Sequence, residues 1–196
     1  MAIIDPDIRK AETLPSRFYT DAPTFDSVTA SFGQNWHFAA HRSQLTVAQP
    51  IDNPLKEPML LTKVDGDVHC ISNVCTHRGM LVCTEPSGAK RLQCPYHGRV
   101  FELGGQFRSM PEFDTVENFP TAADHLQPFP LAEWKGLLFN TISADDFESF
   151  ISEVEARVGW LPIDAFTHDS SRHREYTIDS NWALYVDNYL EGFHIP

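Results

Sequence analysis

The sequence predicts a mainly β protein: an antiparallel β-domain over residues 35–140, then a mixed helical and extended segment over residues 141–196. Three observations predict it. Between Asn35 and Asn140, short apolar runs alternate with turns rich in Gly and Pro. Two of those turns, Asp65-Gly66-Asp67 and Gly104-Gly105, lie between strand-like runs as hairpin signals. Beyond Asn140 the apolar spacing lengthens to a helical period, opened by the polar run Ser143-Ala144-Asp145-Asp146.

The elements follow in chain order. Residues 1–34 read as a lead-in, with a helix from Ala22 to Phe32 that Asp21 or Thr24 caps. Asn35 to Ala40 reads as a strand with Trp36 and Phe38 on one face. Pro58–Val64 and Val68–Val74 flank the first hairpin turn, and Arg99–Leu103 and Gln106–Arg108 flank the second. Trp134 to Asn140 closes the run as a strand. A helix then runs from Ser143 to about Val158, its acidic first turn matching the helix dipole. Arg172–Ile178 reads as a strand, and Ser180 or Asn181 caps a last helix from Trp182 to His194. Two helices and a single strand after a finished β-domain make no second core, so residues 141–196 read as the start of something longer.

Composition narrows the function. The chain has 196 residues, 42% of them apolar, which is enough for a buried core. A net charge of −12 argues against nucleic acid, whose phosphates demand clustered Lys and Arg. It argues equally against docking on anionic membranes. The N-terminus Met1-Ala2-Ile3-Ile4-Asp5-Pro6-Asp7 shows no secretory pattern, and no apolar window is long enough to span a bilayer, so a cytoplasmic location is expected. In that setting, cysteines interleaved with histidines point to metal rather than to disulfides.

Two short segments carry the chemistry: Cys75-Thr76-His77-Arg78-Gly79 and Cys94-Pro95-Tyr96-His97-Gly98. As a pattern this is C-x-H, sixteen residues, then C-x-x-H. Each loop offers one thiolate and one imidazole on turn-forming backbone. Two such loops facing each other supply the ligands of a [2Fe–2S] cluster of the Rieske kind, Cys75 and Cys94 on one iron, His77 and His97 on the other. Gly79 and Gly98 let backbone N–H groups approach the sulfurs. Zinc accepts the same four side chains, but finger-type zinc sites separate the cysteine pair from the histidine pair, whereas each loop here mixes them. The remaining reading is two buried cysteines and two surface histidines with no metal. Cys70 and Cys83 read as small buried apolar residues. Arg78 and Tyr96 border the motif, and the other histidines match no ligand spacing.

With these residues in place, the chain resembles the Rieske domain of the ring-hydroxylating oxygenase family. Rieske proteins of the cytochrome bc complexes carry a further cysteine in each loop, joined by a disulfide. Met80 and Tyr96 stand at those positions here, which points to the oxygenase or ferredoxin branch.

The last stretch, Asn181 to Pro196, brings a second set of polar residues. On a helix, Asp187, Glu191 and His194 share one face. By itself that face reads either as solvated or as part of an iron site. The run resembles the N-W-x-x-x-x-(E/D)-N-x-x-(E/D)-x-x-H motif that opens the catalytic domain of the same family, an α+β domain cut short here at residue 196. The resemblance implies that His194 is the first histidine of a 2-His-1-carboxylate triad holding mononuclear Fe(II). It implies that Glu191 bridges a Rieske histidine of one subunit to the iron site of the next, with Asp187 and Asn188 in outer positions.

The whole resemblance implies the terminal oxygenase component of a homotrimer. A flavin or iron–sulfur reductase, or a ferredoxin, supplies electrons, and O2 is used on a small organic substrate. The run from Asp187 to Pro196 is most similar to members acting on quaternary ammonium compounds such as choline, betaine or carnitine; an aromatic-ring hydroxylase is the other reading. The rival classes are a Rieske ferredoxin-like electron carrier and an assembly or regulatory protein on a degenerate Rieske fold. The Asn181–His194 motif is of no use to the first, and the complete ligand set speaks against the second.

Overall fold

A computed structural model describes residues 4–7, 9–143 and 146–190. The contacts divide the chain into two compact units: residues 32–169, and the described parts of residues 1–31 and 170–196.

The larger unit is built on three antiparallel sheets. β1 (His37–His41), β9 (Leu131–Trp134) and β10 (Leu137–Asn140) form one, in the order β1-β10-β9. β2 (Ala48–Ile51), β3 (Met59–Val64), β4 (Asp67–Ser72) and β8 (Pro128–Phe129) form the second, in the order β2-β3-β4-β8. β5 (Leu92–Gln93), β6 (Val100–Phe101) and β7 (Phe107–Ser109) form the third.

The four-stranded sheet holds the unit together because it is covered on both faces. Successive β3 side chains point to opposite sides. Leu60 joins Ile71, Val82, Leu92, Phe101, Leu126 and the two motif cysteines, Cys75 and Cys94. Met59 and Leu61 join Leu45, Cys70, Phe129 and Leu138 on the other side. The first four residues of β3 are therefore all buried, the continuous apolar run expected of a strand with no wet face. Each such Leu contributes about 1.5–3 kcal/mol by leaving water.

Two hairpins share one turn chemistry. Val64 pairs with Asp67 across Asp65-Gly66, where φ is 51° and 98°. Leu137 pairs with Trp134 across Lys135-Gly136, where φ is 49° and 81°. Positive φ at both central residues twists the backbone in the sense the flanking strands need. The expected single strand Trp134–Asn140 is thus the second arm of a hairpin plus its turn. Its first arm, β9, follows Pro130 and carries little alternation of its own.

Helix α3 (Phe147–Val158) is capped by the Asp146 side chain, which accepts from the Ser149 N–H at 2.9 Å. It starts later than the expected Ser143 and packs back on the β-domain: Phe147 lies edge-on to Trp36 at 5.1 Å, and Phe147 and Phe150 meet Phe139 at 5.5 and 5.9 Å. Trp36 is buried by this contact, whereas Phe38 is 54% exposed. The register between β1 and β10 shifts between Phe38 and Ala40, so the expected shared face of Trp36 and Phe38 is not a shared burial.

In the smaller unit, α1 (Arg17–Thr20) leads into α2 (Ala22–Ser31), where the Asp21 carboxylate accepts from the Thr24 N–H at 2.9 Å as an N-cap. α4 (Trp182–Leu190) is capped by the Asn181 side-chain oxygen, which accepts from the Ala183 N–H at 3.0 Å. The expected strand Arg172–Ile178 does not form. Arg172 ends a 3-10 turn, and Tyr176 and Ile178 are 81% and 59% exposed, with no strand of the described residues pairing with them. No described helix is long and apolar enough to cross a membrane.

Gly105 tests the packing of the third sheet on the second. Its φ is +90°, and an added Cβ would sit 3.1 Å from the Leu126 carbonyl oxygen and 3.4 Å from Ile71. Gly105→Ala should destabilise the fold by about 2 kcal/mol in urea unfolding. Gly88→Ala, where a Cβ meets nothing within 4 Å, should stay within about 0.5 kcal/mol of the parent. Equal stabilities of the two variants would contradict the packing described.

Candidate metal centre

The two motif loops have the same backbone construction. In the first, the Gly79 N–H donates to the Cys75 carbonyl at 3.0 Å and the Cys75 N–H donates to the Met80 carbonyl at 2.8 Å. In the second, the Gly98 N–H donates to the Cys94 carbonyl at 3.1 Å and the Cys94 N–H donates to the Arg99 carbonyl at 2.8 Å. Each loop closes through a left-handed glycine, φ 71° at Gly79 and 72° at Gly98, a conformation that an L side chain strains.

This construction buries both sulfurs, at 3% exposure for Cys75 and 2% for Cys94. The two thiols lie within hydrogen-bonding reach of each other, and all four cysteines of the chain are free. Burial pushes the Cys75 thiol up, and the facing Cys94 adds to this, while the N–H groups of His77 and Arg78 aim at the sulfur and oppose it. A site that gathers N–H donors around a buried sulfur is shaped for a thiolate with a metal beside it. Cys70, by contrast, has only burial acting on it, which pushes it up to about 12, and its sulfur meets the Met59 sulfur at 3.8 Å. It is the small buried apolar residue the sequence suggests. Cys83 is half-buried, its thiol donating to the Glu85 carbonyl.

The histidines also converge. The His77 and His97 rings meet edge to face at 4.8 Å. His97 is exposed and stacks on Tyr96 at 3.7 Å, whereas His77 is half-buried, with Phe113 at 6.1 Å. Burial, then His97, Arg78 and Arg99, lower the His77 pKa, which favours the neutral imidazole that a metal ligand must be. Its Nδ1 is buried and has no hydrogen-bond partner among the described residues. Two neighbouring imidazoles, one with an orphaned ring nitrogen, and two thiols within reach of each other fit a two-iron cluster whose ligands divide in pairs.

Residues that no motif singles out surround the two loops. Asn73, buried, donates through Nδ2 to the Cys83 carbonyl at 2.7 Å and accepts from the Cys83 N–H at 2.9 Å, pinning the return of the first loop. Arg99 follows the second loop, its side chain 3% exposed and paired with Asp124. Burial alone would raise the Asp124 carboxyl, but the Thr121 N–H, Arg99 and the Thr121 hydroxyl together hold it below its usual range. Only the adjacency of Arg99 to the motif was available as a signal; Asp124 is 25 positions further on. His125 serves the fold, accepting the Phe107 N–H at 2.9 Å.

Of the second predicted site, the structure describes only the beginning. Asp187 lies on α4 and accepts from the Tyr19 hydroxyl at 2.8 Å; that hydrogen bond pushes the Tyr19 pKa up. Asn188 is exposed on the same helix. Glu191 and His194 lie outside the described residues.

Comparison with known proteins follows the geometry. Residues 35–120 match the model of the Rieske [2Fe-2S] domain. The carnitine monooxygenase oxygenase subunit of Escherichia coli is 30% identical over 95% of this chain and 52% of its own length. The chloroplastic choline monooxygenase of Beta vulgaris is 28% identical over 98% of this chain and 46% of its own length. The crystal structure of the quaternary ammonium Rieske monooxygenase CntA with L-carnitine superposes with a TM-score of 0.79 at 26% identity, covering 94% of this chain and 54% of that one. The chain therefore spans about half the length of the relatives it matches, and its match extends well past the Rieske domain itself. The buried pair of thiols and the facing pair of imidazoles lie in the segment that matches the Rieske [2Fe-2S] domain, and over nearly its whole length the chain is similar to about half of oxygenase subunits named as carnitine and choline monooxygenases.

Proposed function

We propose that Cys75 and Cys94 hold one iron of a [2Fe–2S] cluster and His77 and His97 the other, and that a protein of the relatives' full length is a terminal oxygenase. The observation that carries this is the pairing within the centre: thiol beside thiol in the core, imidazole beside imidazole at the rim. Bound there, a Rieske cluster supplies one-electron transfer, and a mononuclear Fe(II) with open positions supplies a place for O2 and substrate.

The chain's own residues define the remaining parts. The N–H groups of His77 and Arg78 stabilise charge on the Cys75 sulfur. Exposed His97 and Tyr96 of the second loop, with Met80 and Leu81 just past the first loop and also exposed, face the side from which an electron donor or acceptor comes. Residues 35–140 are the electron-carrying domain, and residues 141–196 contain the opening of the catalytic domain, although α3 packs on the former. His194 is the first ligand of the mononuclear iron, Glu191 accepts a hydrogen bond from His77 or His97 of a neighbouring subunit in a homotrimer, and Asp187 and Asn188 support that bridge. The donor is a flavin or iron–sulfur reductase, or a ferredoxin. The substrate class named by the relatives, a small quaternary ammonium compound, is the one favoured here, with the cytoplasmic location expected from the sequence. The simple electron carrier is disfavoured because the similarity runs through residues 141–196, which a carrier does not need.

Two experiments test the reading. Reconstituted with iron and sulfide, the chain should bind about two of each and show the visible bands and reduced-state EPR signal of a cluster with mixed Cys and His ligation. Cys75→Ser, Cys94→Ser, His77→Ala and His97→Ala should each abolish that signal; preferential uptake of one zinc, or an unaltered signal in any of the four, would refute the ligand assignment. In a full-length protein carrying this sequence, Glu191→Gln should leave the cluster spectrum unchanged and slow turnover by about 10- to 100-fold. Turnover equal to the parent would remove Glu191 from the electron path.

A further inference from the structure

The two ligand loops touch one residue in common that lies outside both. Asp124 sits in a 3-10 turn, Ala122–Asp124, far from either motif in sequence. Its backbone carbonyl accepts from the Thr76 hydroxyl at 2.9 Å, and Thr76 lies between Cys75 and His77. Its carboxylate accepts from Arg99 Nη2 at 2.5 Å, and Arg99 is the residue whose carbonyl receives the Cys94 N–H. The carboxylate is itself fixed, accepting from the Thr121 N–H at 2.7 Å and the Thr121 hydroxyl at 3.0 Å.

Arg99 is unusual for a surface-favouring residue. Its side chain is 3% exposed and its guanidinium lies 4.8 Å from the centre of the Phe107 ring, 5.5 Å from Phe119 and 5.8 Å from Phe101. Its Nε is buried and has no hydrogen-bond partner among the described residues. A cation so enclosed is costly unless paired, and Asp124 is the carboxylate that pairs it. A charge held in a low-dielectric setting also acts at longer range than one in water.

We propose that Asp124 is a positioning residue: through Thr76 on one side and Arg99 on the other it clasps the two ligand loops at a fixed spacing and sets the net buried charge beside them, and thereby tunes the reduction potential of the cluster. The inference rests on the ligand assignment made above. Reduction adds an electron to the cluster, so a nearby fixed cation favours the reduced form and a nearby anion opposes it. The two partners of the clasp therefore act on the potential in opposite directions, whereas loss of loop geometry alone has no reason to depend on which sign of charge is removed.

The test uses the full chain with its cluster reconstituted, read by redox titration and by the rate of iron loss to a chelator. Asp124→Asn should raise the reduction potential and Arg99→Gln should lower it, each by about tenfold in the reduction equilibrium, or about 59 mV for one electron. Thr76→Val, which removes the hydroxyl with little change of shape, should release iron about tenfold faster than the parent, and Thr76→Ser should restore the parent rate. If Arg99→Gln does not fold, the upward shift in Asp124→Asn and the Thr76→Val and Thr76→Ser pair decide the matter. Potentials that move in the same direction in Asp124→Asn and Arg99→Gln, an unshifted Asp124→Asn, or a Thr76→Val variant that holds iron like the parent would overturn the clasp. An unmodified chain that takes up no cluster would instead overturn the ligand assignment, and the clasp with it.

Discussion

Two cysteine sulfurs face each other at the edge of an apolar core, and most of the larger unit is arranged around that contact. Sulfurs in this position are poor hydrogen-bonding partners for one another, and burial penalises their ionised form. The fold tolerates them because each is delivered by a loop whose backbone is already satisfied: Cys75 donates to Met80 and accepts from Gly79, Cys94 donates to Arg99 and accepts from Gly98. Those loops in turn depend on left-handed glycines at their ends and on a core that reaches up to them. The core reaches them because Leu60 and Ile71, from the doubly covered sheet, pack against Leu92, Phe101 and Leu126 from the elements that carry and follow the second loop. The sheet is covered on its other face by Leu138 and its neighbours, so the position of the sulfurs is transmitted through two packed layers rather than set locally.

Charge follows the same economy. The chain is strongly acidic, yet the neighbourhood of the two loops holds a buried arginine. Burial of a lone guanidinium among three phenylalanine rings is opposed by its lost hydration and favoured by the ring faces and by Asp124. Arg99 also lowers the proton affinity of His77, after burial and the closer His97 and Arg78. A neutral imidazole with a bare Nδ1 is the form that binds metal, so the local positive field and the buried, unpartnered nitrogen work in the same direction.

The four residues assigned to the centre were legible in the sequence because each loop brings its own cysteine and histidine together within five residues; only the facing of the two loops had to be assumed. The Asp65-Gly66 turn was legible for the same reason, since turn chemistry is local. Elements that depend on distant partners were not. β9 is a strand because β10 pairs with it across Lys135-Gly136, although Pro130 and Glu133 blur its pattern. Arg172–Ile178 has strand-like residues but pairs with no strand among the described residues. Helix α3 has a legible cap but not a legible partner, and its aromatic contacts with Trp36 and Phe139 draw it to the β-domain. Asp124 is the extreme case: its role is carried by a backbone carbonyl and a carboxylate acting on two other segments, and no spacing rule encodes that.

The two imidazoles differ in a way that gives the centre a direction. His77 is half-buried, faces Phe113, and belongs to the loop whose Thr76 is tied to Asp124. His97 is exposed, stacked beneath an exposed Tyr96, and belongs to the loop closed by Gly98, where a Cβ would meet Pro111 at 3.4 Å. The His77 side of the centre thus has aromatic and ionic contacts, and the His97 side is open to solvent. An electron carrier needs little structural change between its two charge states and a short path to its partner. Enclosing the sulfur side and fixing both loops by backbone hydrogen bonds serves the first need, while leaving His97 at the rim serves the second. Asn73, Thr76, Arg99 and Asp124 hold the loops by hydrogen bonds and an ion pair, and the His97 ring stays exposed.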